Sequence, residues 1–86
     1  MSNLRDGDLQ RAICSTIRRL RRVRGISQEE LALAAQIDRS YVSGIERMRR
    51  NISISLLEKI IPHLSEDYPS FLKEVIKELE ENDLSL

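Results

Sequence analysis

Residues 27–46, SQEELALAAQIDRSYVSGIE, constrain this chain most, because they hold two short helical patterns with almost no chain between them. Ser27 is a good N-cap, and Glu30 three residues later can complete a capping box, so a helix is expected to start near Gln28. Leu31, Ala32 and Ala35 share one face of it. Ile37, Val42 and Ile45 carry the apolar positions into the second helix, which leaves Arg39, Ser40, Tyr41 and Ser43 on the outside. An exposed helix face of polar, hydrogen-bonding side chains suits the DNA major groove.

The remaining periodicity is helical throughout, and the expected fold is all-α. Leu9, Ile13, Ile17 and Leu20 predict a first helix over residues 8–24, capped by Asp6 or Asp8 and stopped by Gly25. The central pair is expected at about 28–35 and 39–48. Ser53 or Ser55 can cap a fourth helix with Ile54, Leu57, Ile60, Ile61 and Leu64 as its buried stripe. Pro62 cannot donate to the carbonyl of Glu58 and should kink that helix or end it near Ile61. Asp67, ahead of Tyr68-Pro69, can open a fifth helix over about 67–81. No repeat, low-complexity segment or linker divides residues 1–86, which read as a single domain.

Eighty-six residues are marginal for an enzyme pocket of ordinary size, and a core this small favours oligomerisation. Cys14 is the one cysteine and borders the apolar stripe of the first helix, so neither an internal disulfide nor a cysteine zinc site can form. His63 lacks metal-site spacing. With no glycine-rich phosphate loop, nucleophile elbow or paired-carboxylate arrangement, the expectation is a non-enzyme without cofactor, metal or small-molecule ligand. No apolar run approaches the roughly 20 residues of a membrane span, and MSNLRDGD is no signal peptide, so a cytoplasmic protein is expected. The formal net charge is zero, but it is sorted: residues 1–50 hold 11 Lys/Arg and 6 Asp/Glu, whereas residues 51–86 hold 3 and 8. The basic half is the candidate footprint for phosphate, and the acidic half should face away.

The order Gln28, Leu31-Ala32, Ala35, Ile37, Val42, Ile45 resembles the Cro/lambda-repressor-like (XRE-type) helix-turn-helix family, over residues 17–64 and including Gly25-Ile26-Ser27-Gln28-Glu29-Glu30 and Ile45-Glu46-Arg47. Within that family, residues 38–47 followed by Arg50-Asn51-Ile52-Ser53 are most similar to the controller proteins of restriction-modification systems. The resemblance implies a dimer on an inverted-repeat operator in double-stranded DNA, with two dimers on adjacent sites as a further assembly. It also implies regulation of the protein's own gene and of the endonuclease gene, in a nucleoid-associated protein of bacterial or phage origin. A phage-like repressor, or an antitoxin or adaptor acting mainly through protein contacts, are the alternatives. Three positions depart from the family pattern: Gln36 stands where the turn usually has glycine, Met48 follows Arg47 where glycine is common, and Pro62 falls inside the fourth helix.

Residue roles follow from the resemblance and from the exposed face together. Arg39 matches the base-reading position, where an arginine can grip guanine O6 and N7; Ser40, Tyr41 and Ser43 are expected to contact bases beside it. Gln28 resembles the family's phosphate clamp, and Arg47, Arg49, Arg50 and Asn51 are expected over the sugar-phosphate backbone. Arg21 and Glu46 resemble the family's inter-helix ion pair, while Arg18, Arg19, Arg22 and Arg24 circle the first helix. Phe71, Leu72, Val75, Ile76 and Leu79 make the fifth helix more apolar than one core contact requires, and a symmetric dimer through that helix is expected.

Overall fold

The computed structural model describes residues 5–84, and the helices follow one another as α1 (Asp8–Val23), α2 (Gln28–Ala35), α3 (Arg39–Glu46), α4 (Ile54–Ile60) and α5 (Tyr68–Leu84). A single 3-10 turn, Ile61–His63, prolongs α4. No strand occurs among the described residues, and no helix there is long and apolar enough to cross a membrane.

Local chemistry sets most of the boundaries. Ser27 Oγ accepts from the Glu30 amide at 3.0 Å and the Ser27 amide donates back to Glu30 Oε1 at 2.8 Å, a complete capping box. Ser53 Oγ accepts from Leu56 N at 3.1 Å to start α4, and Asp67 Oδ1 accepts from Ser70 N at 2.8 Å to start α5. Gly25 stops α1 with φ +71. The start of α1 departs from expectation: neither Asp6 nor Asp8 caps it. Left-handed Gly7 precedes the helix without a side-chain cap, and Asp8 instead bonds Arg11 at 2.8 Å. Pro62 lacks the amide that α-helical bonding would need, so the chain tightens into the 3-10 turn after Ile60.

Both remaining departures from the family pattern are left-handed residues. Gln36 takes φ 59 and ψ 46 at the end of α2, letting Ile37 N reach Ala32 O at 2.9 Å. Met48 takes φ 58, and Arg49 N then reaches Gly44 O at 2.8 Å. The reversal at Met48 ends α3 at Glu46, two residues before the expected limit, in the hydrogen-bond pattern of a glycine-type helix stop. Each non-glycine residue in this region costs on the order of 1 kcal/mol.

The core gathers one face of every helix: Ile17, Leu31, Val42, Ile45, Ile60, Leu64 and Phe71 are all but inaccessible. α1 packs chiefly on α5, and α2 on α3. Two expected stripe residues fall outside it, Leu9 at 60% and Ile54 at 74% exposure, and Ala12 and Leu56 are buried instead. Cys14 is buried, which pushes its thiol above the ordinary range. Arg19 is not merely solvated: its Nη1 meets Glu74 at 2.9 Å and its Nε meets Glu78 at 2.9 Å, so the acidic α5 is clamped against the basic α1.

Candidate nucleic-acid interface

α3 stands on the surface because α2 and the tight turn at Gln36 hold it there by its apolar face, with α1 joined to its last residue. Val42 and Ile45 point into the core, while Arg39 and Ser40 are exposed and Tyr41 and Ser43 are half-buried. Asp38 caps the helix, its Oδ1 accepting from both the amide and the hydroxyl of Ser40 at 2.9 Å. Those two bonds, with the nearby Arg50 charge, hold the Asp38 carboxyl below the usual carboxylate range. The helix therefore begins rigidly, with its first side chain, Arg39, projecting outward.

An open groove of about 470 Å³ brings together Gln28, Asp38, Arg39, Ser40, Ser43 and Arg47. Five of these were singled out in the sequence; Asp38 was not, although an aspartate immediately before a predicted helix is a capping signal. Tyr41 lies outside the groove lining and carries the Arg50 guanidinium over its ring, 5.0 Å from the centroid. Arg49 and Asn51 are exposed beyond the groove. Asn51 Oδ1 accepts from Gln10 Nε2 at 3.2 Å, so the α3–α4 connection is tied to the start of α1, a contact no local sequence signal announces.

Behind the groove lies a buried ionic network. Arg21 Nε donates to Glu46 Oε2 at 2.6 Å and Nη2 to Oε1 at 3.0 Å, a two-pronged pair, while Nη1 donates to the Ile26 carbonyl at 2.8 Å. Gln28 Nε2 gives one of its two N–H groups to Glu46 Oε1 at 3.1 Å, leaving the other for the groove. α1, the first residue of α2 and the last of α3 are thus joined at one carboxylate, and Arg21 ties in the α1–α2 loop as well. Burial alone would raise the Glu46 carboxyl, but the bonds from Arg21 and Gln28 outweigh it and hold it below its ordinary 4.5.

The sign of that shift gives a testable pH dependence. A carboxylate depressed by folding contributes stability in full above its ordinary value and loses it as pH falls through the lowered folded value. Unfolding free energy should therefore be flat in this contribution above about pH 5 and fall with acidification below 4.5. Glu46→Gln should be less stable at neutral pH and show a shallower acid limb. An acid limb as steep in the variant as in the parent would assign the titration to other carboxylates.

On the α4–α5 side, the apolar face expected for dimerisation is split. Phe71 and Val75, at 1% and 3% exposure, belong to this chain's own core, and Leu79 packs against it. Phe71 and Val75 therefore have no surface left for a partner contact, whereas Leu79 is only half-buried. Leu72 and Ile76 remain outside, half exposed, and the surface continues onto α4 through a shallow apolar groove of about 230 Å³ lined by Ile54, Leu57, Glu58, Ile61, Tyr68 and Leu72. Ile54, whose exposure contradicts its expected place in the core, belongs to this surface.

The comparisons with known proteins agree with the geometry. A helix-turn-helix family model matches residues 17–61. A hypothetical transcription factor of Neisseria meningitidis serogroup B is 45% identical over 53 residues, a match covering 62% of this chain and 50% of that protein. The control protein C.SmaI of Serratia marcescens is 29% identical over 65 residues, covering 76% of this chain and 77% of its own length. The crystal structure of the wild-type restriction-modification controller protein C.Esp1396I superposes with a TM-score of 0.79 at 38% identity, covering 83% of this chain and 91% of that one. The family match thus spans more than half of the chain and centres on α2 and α3, and the chain belongs to the helix-turn-helix family.

Proposed function

We propose that this protein is a dimeric, sequence-specific DNA-binding transcription regulator that reads an inverted repeat with α3, and that it is a restriction-modification controller acting on its own gene and on the endonuclease gene. The observation that carries the reading is the single groove at the front of α3, where Arg39, Ser40, Ser43, Gln28 and Arg47 converge. Three of these are suited to base edges and two to phosphate, and a rigidly capped helix end presents them. The local charge supports it, since the surplus of arginines lies in the half of the chain that builds the groove. C.Esp1396I has been crystallised as a tetramer in complex with its natural 35 base-pair operator.

The second copy supplies what one protomer lacks. Exposed Ile54, Tyr68 and Leu72 line one apolar groove between α4 and α5, Ile76 is exposed one turn further along α5, and a two-fold contact there would pair two α3 helices for the two half-sites.

Base reading is tested at Arg39. On an operator obtained by selection from random duplexes, Arg39→Ala should lose about 1–3 kcal/mol and relax preference at one position per half-site. Equilibrium binding to matched and singly mismatched duplexes measures both. If the variant retains the parental cognate-to-mismatch ratio, Arg39 contacts only the backbone or solvent.

A further inference from the structure

Gly44 lies inside the eight-residue α3, in ordinary helical backbone: the left-handed glycines among the described residues are Gly7 and Gly25. Backbone conformation therefore gives no reason for glycine at this position, and glycine weakens a helix interior relative to alanine. The reason lies outside the helix. A Cβ on Gly44 would fall 2.7 Å from Arg50 Cγ and 3.4 Å from both Cδ and Nε. No other atom crowds it as closely, so what the missing methyl accommodates is the stem of one arginine side chain.

Arg50 reaches that place because the chain reverses at Met48 and the Arg49 amide bonds the Gly44 carbonyl at 2.8 Å. From there its stem crosses α3 at Gly44, and its guanidinium covers Tyr41, the residue one turn back on the same face. The cation is thereby laid along the flank of α3 beside the groove instead of extending freely from the loop.

We propose that Gly44 is a positioning residue for DNA recognition: its bare Cα is the notch that lets Arg50 lie flat on α3 and stack on Tyr41, presenting Arg50 and Tyr41 to the duplex as one preformed unit. Restraining the side chain before binding reduces the ordering that the complex must impose on it. A cation over an aromatic face is an attractive arrangement in its own right, and it holds the Tyr41 ring in place as well. The proposal rests on α3 being the DNA-reading helix, so its test has one arm that needs no DNA.

In the free protein, the Arg50 side-chain methylene protons should show upfield NMR shifts from the Tyr41 ring. Gly44→Ala should abolish those shifts with little change in melting temperature, because the added methyl meets the stem of one side chain and no backbone, and alanine favours the helix. On the duplex selected by the parental protein, Gly44→Ala should weaken binding on the order of tenfold, close to the effect of Arg50→Ala, and the double variant should be no weaker than Arg50→Ala alone. Retained upfield shifts in Gly44→Ala would overturn the proposal, as would a marked fall in its melting temperature. So would a Gly44→Ala penalty that persists in full in the Arg50→Ala background. Lost shifts with unchanged affinity would also overturn it, since the stacked placement would then add nothing to binding, leaving base reading by Arg39 to be judged on its own mismatch data.

Discussion

Arg21→Ala is expected to melt at least about 12 °C below the parent, as the partner of a buried carboxylate is removed. The side chains of Arg21 and Glu46 are only 11% and 4% exposed, so the lone Glu46 charge could not recover its hydration without opening the junction of α1, α2 and α3. Breaking such a pair on one side costs about 3–5 kcal/mol. Chains of this size have roughly 4–13 kcal/mol in total, so the loss is a large share of stability. Glu46→Ala should be similar, because it leaves the guanidinium with only the Ile26 carbonyl. Replacing both by apolar residues, Arg21→Met with Glu46→Leu, should recover part of the loss, since no unpaired charge is then buried. Single variants that each cost less than about 1 kcal/mol in denaturant titration would mean the pair is solvated in solution.

Ile76→Asp should yield a folded monomer that binds its operator at least about a hundredfold more weakly, whereas Val75→Asp should not fold. The two neighbours differ because Val75 is 3% exposed inside the protomer and Ile76 is 51% exposed outside it. A carboxylate at 76 is hydrated in the monomer and desolvated only in the dimer, so its penalty falls on association. Leu72→Asp, on the same outer strip, should behave alike. The hundredfold figure reflects loss of the linked second half-site, with no change in the contacts made by one α3. Sedimentation equilibrium and circular dichroism on the same samples separate the outcomes. A dimer that survives both Leu72→Asp and Ile76→Asp would place the interface on another face.

Bonds between near neighbours are legible in the sequence, and contacts between distant residues are not. Helix starts were legible at Ser27, Ser53 and Asp67 because an N-cap is a local bond between residues three apart. The groove residues of α3 were legible because Val42 and Ile45 fix which side of a short helix is inward. Apolar periodicity could not say where neighbouring helices stop covering a face, and so Leu9 and Ile54 were assigned to the core although no helix reaches far enough to bury them. The same limit merged the inner Phe71 and Val75 with the outer Leu72 and Ile76 into one apolar face. Contacts between distant positions were invisible for a different reason: Arg19 with Glu74 and Glu78, and Gln10 with Asn51, join residues 41 to 59 apart that no local pattern relates. Arg50 is legible only as a cation for the sugar-phosphate backbone, because only the reversal at Met48 folds it back over Gly44 and Tyr41.

The most direct measurement is selection of bound sequences from a random duplex pool by the parental protein, followed by sedimentation of the complex on the selected duplex. The account predicts an inverted repeat whose half-site centres lie about one helical turn apart, roughly 34–36 Å, bound by two chains. Enrichment of a single unrepeated site, binding of one chain per duplex, or no enrichment over the starting pool would contradict it.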